Sequence, residues 1–418
     1  MSGAGKNLRV NEQRLWARHL ELAKIGQVGE TGNCRLALSD EDAEARALFA
    51  SWCEAAGMSV SSDRAGNMFA LRPGRDPERK PVSAGSHLDT QPHGGRFDGV
   101  SGVLAALEVV ETLNEAGVET DAPVMVINWT NEEGVRFSPG LLGSSWFSGK
   151  ISDAALDEIR DPSGARLVDE AKRIGWSGDV APSEVQLDSF FELHIEQGPI
   201  LDAAELEIGV VTSIQGLRWL DVNVTGFDAH AGTTPMNLRK DALLTAAAML
   251  TGLSHMAQGF GPDARVSVGQ LRSETDGPST ISGRADFIVD VRHPDPAALD
   301  QLETLSREIC EKAARDYGCD VRIRRRLAVP PRAFDEGCVD CVEQATQSLN
   351  LSYRRMPSGA LHDASNIASL APASMIFVPC RDGISHNITE YASPEALAKG
   401  ADVLLHAMLR RAMDPVAE

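Results

Sequence analysis

Two hydrophobic rhythms run through this chain, and one interrupts the other. Up to about residue 213 helical and strand patterns alternate. From there WLDVNVTGF, RVSVGQLRS and ADFIVDVRH repeat with period two, and residues 240–254 and 296–317 carry helical spacing. Near Val329 the first rhythm returns. Period two puts apolar side chains on one face of a strand and helical spacing puts them on one stripe, so each rhythm needs its own core. The chain is therefore predicted to fold as α/β over residues 1–213 and 329–418, around an inserted βαββαβ-like α+β domain at 214–328. Its 418 residues exceed one ordinary core and agree with two.

Within the first rhythm, SDEDAEARALFASWCEAAG reads as a helix with Ser39 as N-cap and Gly57 as its end. MSVSSD and NMFALRPG read as short strands, PVSAGSHLDT as strand then loop, VSGVLAALEVVETLNEAG as a helix and APVMVINWTNEE as strand then loop. After the insert, CVEQATQSLN is helical, SMIFVP is a strand and PEALAKGADVLLHAMLRRA closes the fold as a helix. The polar residues of interest follow strand ends, where open α/β sheets place ligands.

WTNEEGVRF sets two carboxylates, Glu132 and Glu133, directly after a strand that reads as buried. Neighbours on an extended chain point to opposite sides, so a structural role for both would bury one unpaired, at high cost. A cation removes the difficulty, because one glutamate ligates it while the other holds a proton beside it. Further donors lie in GSHLDT (His87, Asp89), GGRFDG (Asp98), ELHIEQG (His194) and GISHNITE (His386). Two imidazoles and two carboxylates besides a base are enough for a pair of borderline divalent ions sharing a bridging carboxylate.

Taken singly, each has a plain alternative. His87 and His194 fit hydrogen-bonded core histidines, Asp98 a turn residue between glycines, Glu132 and Glu133 a solvated loop pair, and Ser385-His386 a cap. Their occurrence together after the strands of one layer fold favours a site.

The order of RLALSDEDAEAR, GSHLDTQPHGGRFDGVSGVLAALE, TNEEGVRF, LGS, ELHIEQGPILD, HAGTTPM, DVRH, SGALHDA and MIFVPCRDGISHNITE, running from about Arg14 to Leu409, resembles the M20-type metallohydrolases, and within them the hydantoinase/carbamoylase amidohydrolases. The resemblance implies a mixed-sheet catalytic domain with an inserted lid and dimerisation domain, and two divalent ions per subunit. Zinc leads, and manganese, cobalt or nickel also suit mixed N/O ligation. It implies that His87 and His194 each complete one ion's ligand set with Glu133 and His386, that Asp98 bridges, that Glu132 is the general base, and that the Asp89 carboxylate orients His87.

The same resemblance gives His230 of HAGTTPM as an oxyanion-stabilising histidine reaching the other subunit's site in a homodimer. It gives Arg292 of DVRH as a substrate-carboxylate clamp, with Gln197, Gly359, His362 and Ser279 as further substrate contacts. By themselves Arg292 fits a strand-end surface charge and His230 a turn residue. One departure stands out: PSTISG puts Ser279 and Ser282 where many relatives carry Asn and Pro, and a hydroxyl reaches less far than an amide.

The implied reaction is cleavage of the N-carbamoyl (ureido) group from an amino acid or similar small acid. Allantoate, ureidoglycolate and β-ureidopropionate are alternative substrates with the same catalytic set. A non-catalytic binding protein of this fold would lack the base or a ligand, and here each is present.

Sixty acidic against forty basic residues give a formal charge of −20, which disfavours nucleic acid and anionic membrane partners. MSGAGKNLRVNEQRLW has no apolar core of signal-peptide length, and no segment approaches the ~20 apolar residues of a membrane span, so a cytoplasmic protein is expected. Seven scattered cysteines do not form a disulfide framework, and Cys338 and Cys341 read as ordinary helix positions.

Overall fold

In a computed structural model describing residues 8–275 and 277–413, four strands form the middle of the larger sheet: Val82–His87, Val124–Trp129, Ser189–Ile195 and Ala373–Val378. Every residue in them is buried, as expected of strands covered on both faces. They run parallel, with Val82–His87 between Val124–Trp129 and Ser189–Ile195, and Ala373–Val378 beyond the latter. Antiparallel strands extend the sheet on both sides. Met68–Arg72 and Ser59–Ser62 lie at one side and Ile208–Ile214 at the other, which makes it mixed.

Because the middle strands share a direction, their C-terminal ends lie along one edge. Helix Val100–Glu115, apolar on nearly every side, packs against Val82–His87 with most of its residues buried. Helix Asp40–Ala55 begins where expected, with the Ser39 hydroxyl accepting the Asp42 N–H at 3.2 Å, and Gly57 follows with φ +79°. Three short helices, Leu142–Phe147, Asp153–Glu158 and Leu167–Arg173, were not anticipated. Each is too short for a helical period to repeat, and they bury Leu142, Leu156 and Leu167 in a small core of their own with Leu38 and Phe137.

The chain divides into two compact units, Met1–Thr212 with Phe334–Glu418, and Ser213–Ala333. The return expected at 329 falls later. Asp320–Val329 is the last long strand of the smaller unit, and Arg332 and Ala333 then pair with Ile214 and Ser213. In that unit Arg265–Ser267, Arg284–His293, Gly216–Thr225 and Asp320–Val329 form an antiparallel sheet in that order. The stretch RVSVGQLRS is two strands, since Val268, Gly269 and Gln270 leave the ladder between Arg265–Ser267 and Leu271–Ser273. Helices Ala242–Gln258 and Pro296–Asp316 cover one face, with Met249, Leu253, Leu299 and Leu302 against Val222, Val224, Phe287 and Val289.

Among the described residues no helix is long and apolar enough to cross a membrane, and no disulfide forms. Cys338 and Cys341 lie on helix Glu336–Ser348.

Candidate metal centre

His87 is the last residue of its strand and His194 the last but one of the parallel neighbour, so their rings come within 6.0 Å. Main-chain carbonyls turn both rings: His87 Nδ1 donates to the Asp89 carbonyl at 2.8 Å, and His194 Nδ1 to that of Ile195 at 2.9 Å. A proton on Nδ1 leaves each Nε2 with its lone pair outward, and the Gly99 N–H, 3.2 Å from His194 Nε2, agrees. Both Nε2 atoms face one carboxylate oxygen. Asp98 Oδ1 lies 3.0 Å from His194 and 3.8 Å from His87.

Asp98 reaches this place because Gly99 follows it. Gly99 has φ +65°, and a Cβ there would stand 2.2 Å from the His87 ring, so only glycine lets the loop come so close. The second Asp98 oxygen lies 3.4 Å from His386 Nε2, which is 3.6 Å from Glu133 Oε2. Two donor clusters share Asp98: one adds His87 and His194, the other Glu133 and His386, each with donor atoms within 4.8 Å of one another. The expectation gave the two strand histidines to different ions, whereas here they fall in one donor cluster. Their strands are neighbours, so both imidazoles fall on the same side of Asp98.

Asp89 was expected to orient His87 through its carboxylate, and the contact here is made by a different atom. It is the Asp89 carbonyl that turns His87; its carboxylate is 4.0 Å from Nδ1 and instead accepts the N–H groups of Glu132 and Glu133, each at 3.2 Å. Glu132 Oε2 lies 3.6 Å from His87 Nε2, beside the first cluster.

The electrostatics test whether cations fit. Burial first, and then Glu133, Asp363 and Asp98, raise the Glu132 carboxyl well above the ordinary carboxylate range. Burial and then Asp98 push Glu133 up to about 8. Against its burial, Asp98 is held well below the ordinary range by His194 and His386. The bond to Asp98 takes His386 up to about 9, and against burial the same carboxylate takes His194 to about 9. Glu133 Oε1 is buried without a hydrogen-bond partner. Two glutamates whose ionisation is opposed by burial and by neighbouring carboxylates, imidazole Nε2 atoms facing the same carboxylates, and one orphaned oxygen fit divalent cations in mixed N/O ligation.

Other expected residues fall in two places. In the larger unit Gln197, with φ +57°, donates to Asp98 Oδ2 at 2.8 Å. His362 is buried 4.5 Å edge-on behind the His194 ring, with Nε2 3.1 Å from the Ser358 hydroxyl, and a Cβ at Gly359 would meet nothing within 4 Å. In the smaller unit His230 is exposed, and its Nδ1 accepts the N–H groups of Gly232 and Thr233 at 3.0 and 3.2 Å. Ser279 is exposed beside it, its carbonyl accepting the Ala231 N–H at 2.7 Å. Ser282 is buried and donates to the Arg284 carbonyl at 2.8 Å. Arg292 forks onto Asp290 at 3.1 and 2.8 Å.

The sequence reading missed the residues that hold the donors in place. Gln91 donates to Glu133 Oε2 at 2.7 Å. Glu192 accepts from Ser86 Oγ and the Ala364 N–H, and its signal was a charge inside the buried strand SFFELHI. Glu390 accepts the N–H groups of Phe97 and Asp98, and nothing in GISHNITE marks it apart from its place there.

The model of peptidase family M20/M25/M40 matches residues 84–410. The N-carbamoyl-L-amino-acid amidohydrolase of Rhizobium meliloti is 45% identical, over 99% of each chain. A solved amidase of the hydantoinase/carbamoylase family from Burkholderia multivorans has a TM-score of 0.96 at 44% identity, covering 98% of this chain and 100% of the other. A ureidoglycolate hydrolase of Arabidopsis thaliana is 31% identical over 94% of this chain and 85% of its own. With a family model across most of its length and relatives matched end to end, the chain belongs to peptidase family M20/M25/M40, among its hydantoinase/carbamoylase amidases.

Proposed function

We propose that the protein hydrolyses the ureido C–N bond of N-carbamoyl-L-amino acids, releasing ammonia, carbon dioxide and the free amino acid. The reading is carried by one observation: the Asp98 carboxylate stands between two donor clusters, with Glu132 at the edge of the first. The name of the 45% identical Rhizobium meliloti relative supports the substrate class.

One divalent ion on His87, His194 and Asp98 and another on Asp98, Glu133 and His386 would supply Lewis acidity toward the ureido carbonyl and a nucleophilic water near neutral pH. The donor set suits zinc first, with manganese, cobalt or nickel also compatible. The remaining work belongs to the chain. Glu132, whose burial raises its proton affinity, takes a proton from the attacking water and returns it to the leaving nitrogen as the C–N bond breaks. His230 accepts main-chain N–H groups on Nδ1, so Nε2–H is its free donor, suited to an oxyanion. The Arg292 guanidinium offers a planar fork for the substrate carboxylate, and Gln197, Gly359, His362 and Ser279 complete the contacts.

The smaller unit exposes Phe227, Met236 and Leu238 at 69%, 67% and 68%. Apolar surface of this kind supports a homodimer through that unit, each copy offering His230 to the other's centre. Ureidoglycolate is the second substrate reading, supported by the name of the Arabidopsis thaliana relative, and the higher identity to the Rhizobium meliloti protein ranks it second.

An ammonia-release panel on zinc- or manganese-loaded protein tests the reading. It compares N-carbamoyl-L-amino acids with ureidoglycolate, allantoate, β-ureidopropionate and a dipeptide. The highest kcat/KM should fall on an N-carbamoyl-L-amino acid, and a better rate on any other class overturns the assignment.

A further inference from the structure

Glu390 is only 2% exposed, yet none of its oxygens is idle. Oε1 accepts the N–H groups of Phe97 and Asp98, both at 3.1 Å, and Oε2 accepts the Ser385 hydroxyl at 2.9 Å. That hydroxyl also lies 2.9 Å from Asp98 Oδ2. The main chain closes round the carboxylate, since a Cβ on Gly95 would stand 2.2 Å from Glu390 Oε1.

We infer that Glu390 is a positioning residue, which ties the loop carrying Asp98 to the loop carrying His386 and thereby sets the spacing of the Asp98–Glu133–His386 cluster. The inference rests on the reading of these residues as ligands. The need for such a tie follows from how differently the histidines are built. His87 and His194 belong to buried strands, and their side chains are 1% exposed. The His386 side chain is 51% exposed, and its backbone has φ +54°, a conformation that a residue other than glycine keeps only under outside constraint. Its ring is met by Asp98, Glu133 and Gln197, groups the ion itself would engage or crowd. Its place is therefore set by its loop, which Glu390 holds through Ser385 and through its own N–H to the Asn387 carbonyl at 3.0 Å.

The consequence is selective: weakening Glu390 should loosen the second cluster and spare the first. Titration of the metal-free protein with Zn2+, followed by calorimetry and by bound metal after dialysis, reads this directly. Wild type should take up two ions. Glu390→Ala should keep one near wild-type affinity and bind the other about 10- to 100-fold more weakly. Glu390→Gln keeps an oxygen for both N–H groups and should restore the second ion to within about threefold, which a loss of mere bulk would not do. Should Glu390→Ala fail to fold, Ser385→Ala removes only the bridge and should weaken the second ion alone. Folded variants that bind both ions as wild type does, or that lose both equally, overturn the inference. Wild type that takes up no Zn2+ would instead sink the reading of the centre itself.

Discussion

The carboxylate of Asp89 accepts the N–H of Glu133 on one oxygen and the N–H of Glu132 on the other, both at 3.2 Å. One side chain thus fixes the bend where strand Val124–Trp129 delivers two glutamates, directly after Asn131 at φ +58°. Its own carbonyl meanwhile fixes the tautomer of His87.

Asp89→Asn should therefore impair the glutamates and leave His87 oriented. An amide has one acceptor oxygen, so one of the two N–H groups loses its partner in a buried site. Activity should fall about 10- to 100-fold. Kinetics on reconstituted variant, with metal content measured in parallel, check this. Wild-type kcat/KM would show that the bend holds without the carboxylate.

The adjacent glutamates should separate in a metal assay. On the proposed roles Glu132→Gln removes the proton acceptor and no ligand, so turnover should vanish while metal content stays near wild type. Glu133→Gln removes a carboxylate that faces His386 and should lower both activity and bound metal. Equal metal loss in the two variants would count against the division.

The legible part of this centre was the part that side-chain type and strand position determine together. His87, Glu132, Glu133 and His194, which the structure brings close together, stand out because each ends or follows a run of apolar residues. The βα alternation and the inserted unit were legible for the same reason: hydrophobic period reports which face is buried. The grouping of the candidate donors was not. Whether His194 sits with His87 or with Glu133 depends on which strands are neighbours, and strand order leaves no mark on local pattern. Glu390, Gln91 and Ser385 act through hydrogen bonds to chain segments far away in sequence, and the helices between Leu142 and Arg173 are too short to show a period.

Sharing of the site between subunits can be tested by mixing inactive chains. In the proposed dimer Glu132 and the metal-donor residues belong to one copy and His230 to the other. His230→Ala and Glu132→Gln chains, unfolded and refolded together, should form mixed dimers in which one of the two sites has both residues intact. Activity should recover to about a quarter of wild type, since half the dimers are mixed and each carries one working site. Mixtures that stay inactive despite proven exchange would place His230 with its own chain's centre.

Acid stability should depend on His19, which is not one of the proposed metal donors although its ring lies beside Phe97, the residue before Asp98. It is buried beside Phe97 and Trp16, with Nδ1 2.9 Å from the Leu15 carbonyl, and burial lowers its pKa from 6.5 to about 4. Above pH 6.5 the ring is neutral in both folded and unfolded chains, and its contribution to stability is fully present. Between 6.5 and 4 the unfolded chain takes a proton that the folded chain refuses, so stability falls as the pH drops, by about 2 kcal/mol at pH 5 and about 3 kcal/mol at the limit. His19→Gln cannot take that proton in either state. In urea unfolding of metal-free protein the variant should lose about 2 kcal/mol less than wild type between pH 7.5 and pH 5, even if it starts from a lower value. Parallel losses in the two proteins would show that His19 is not the group that titrates.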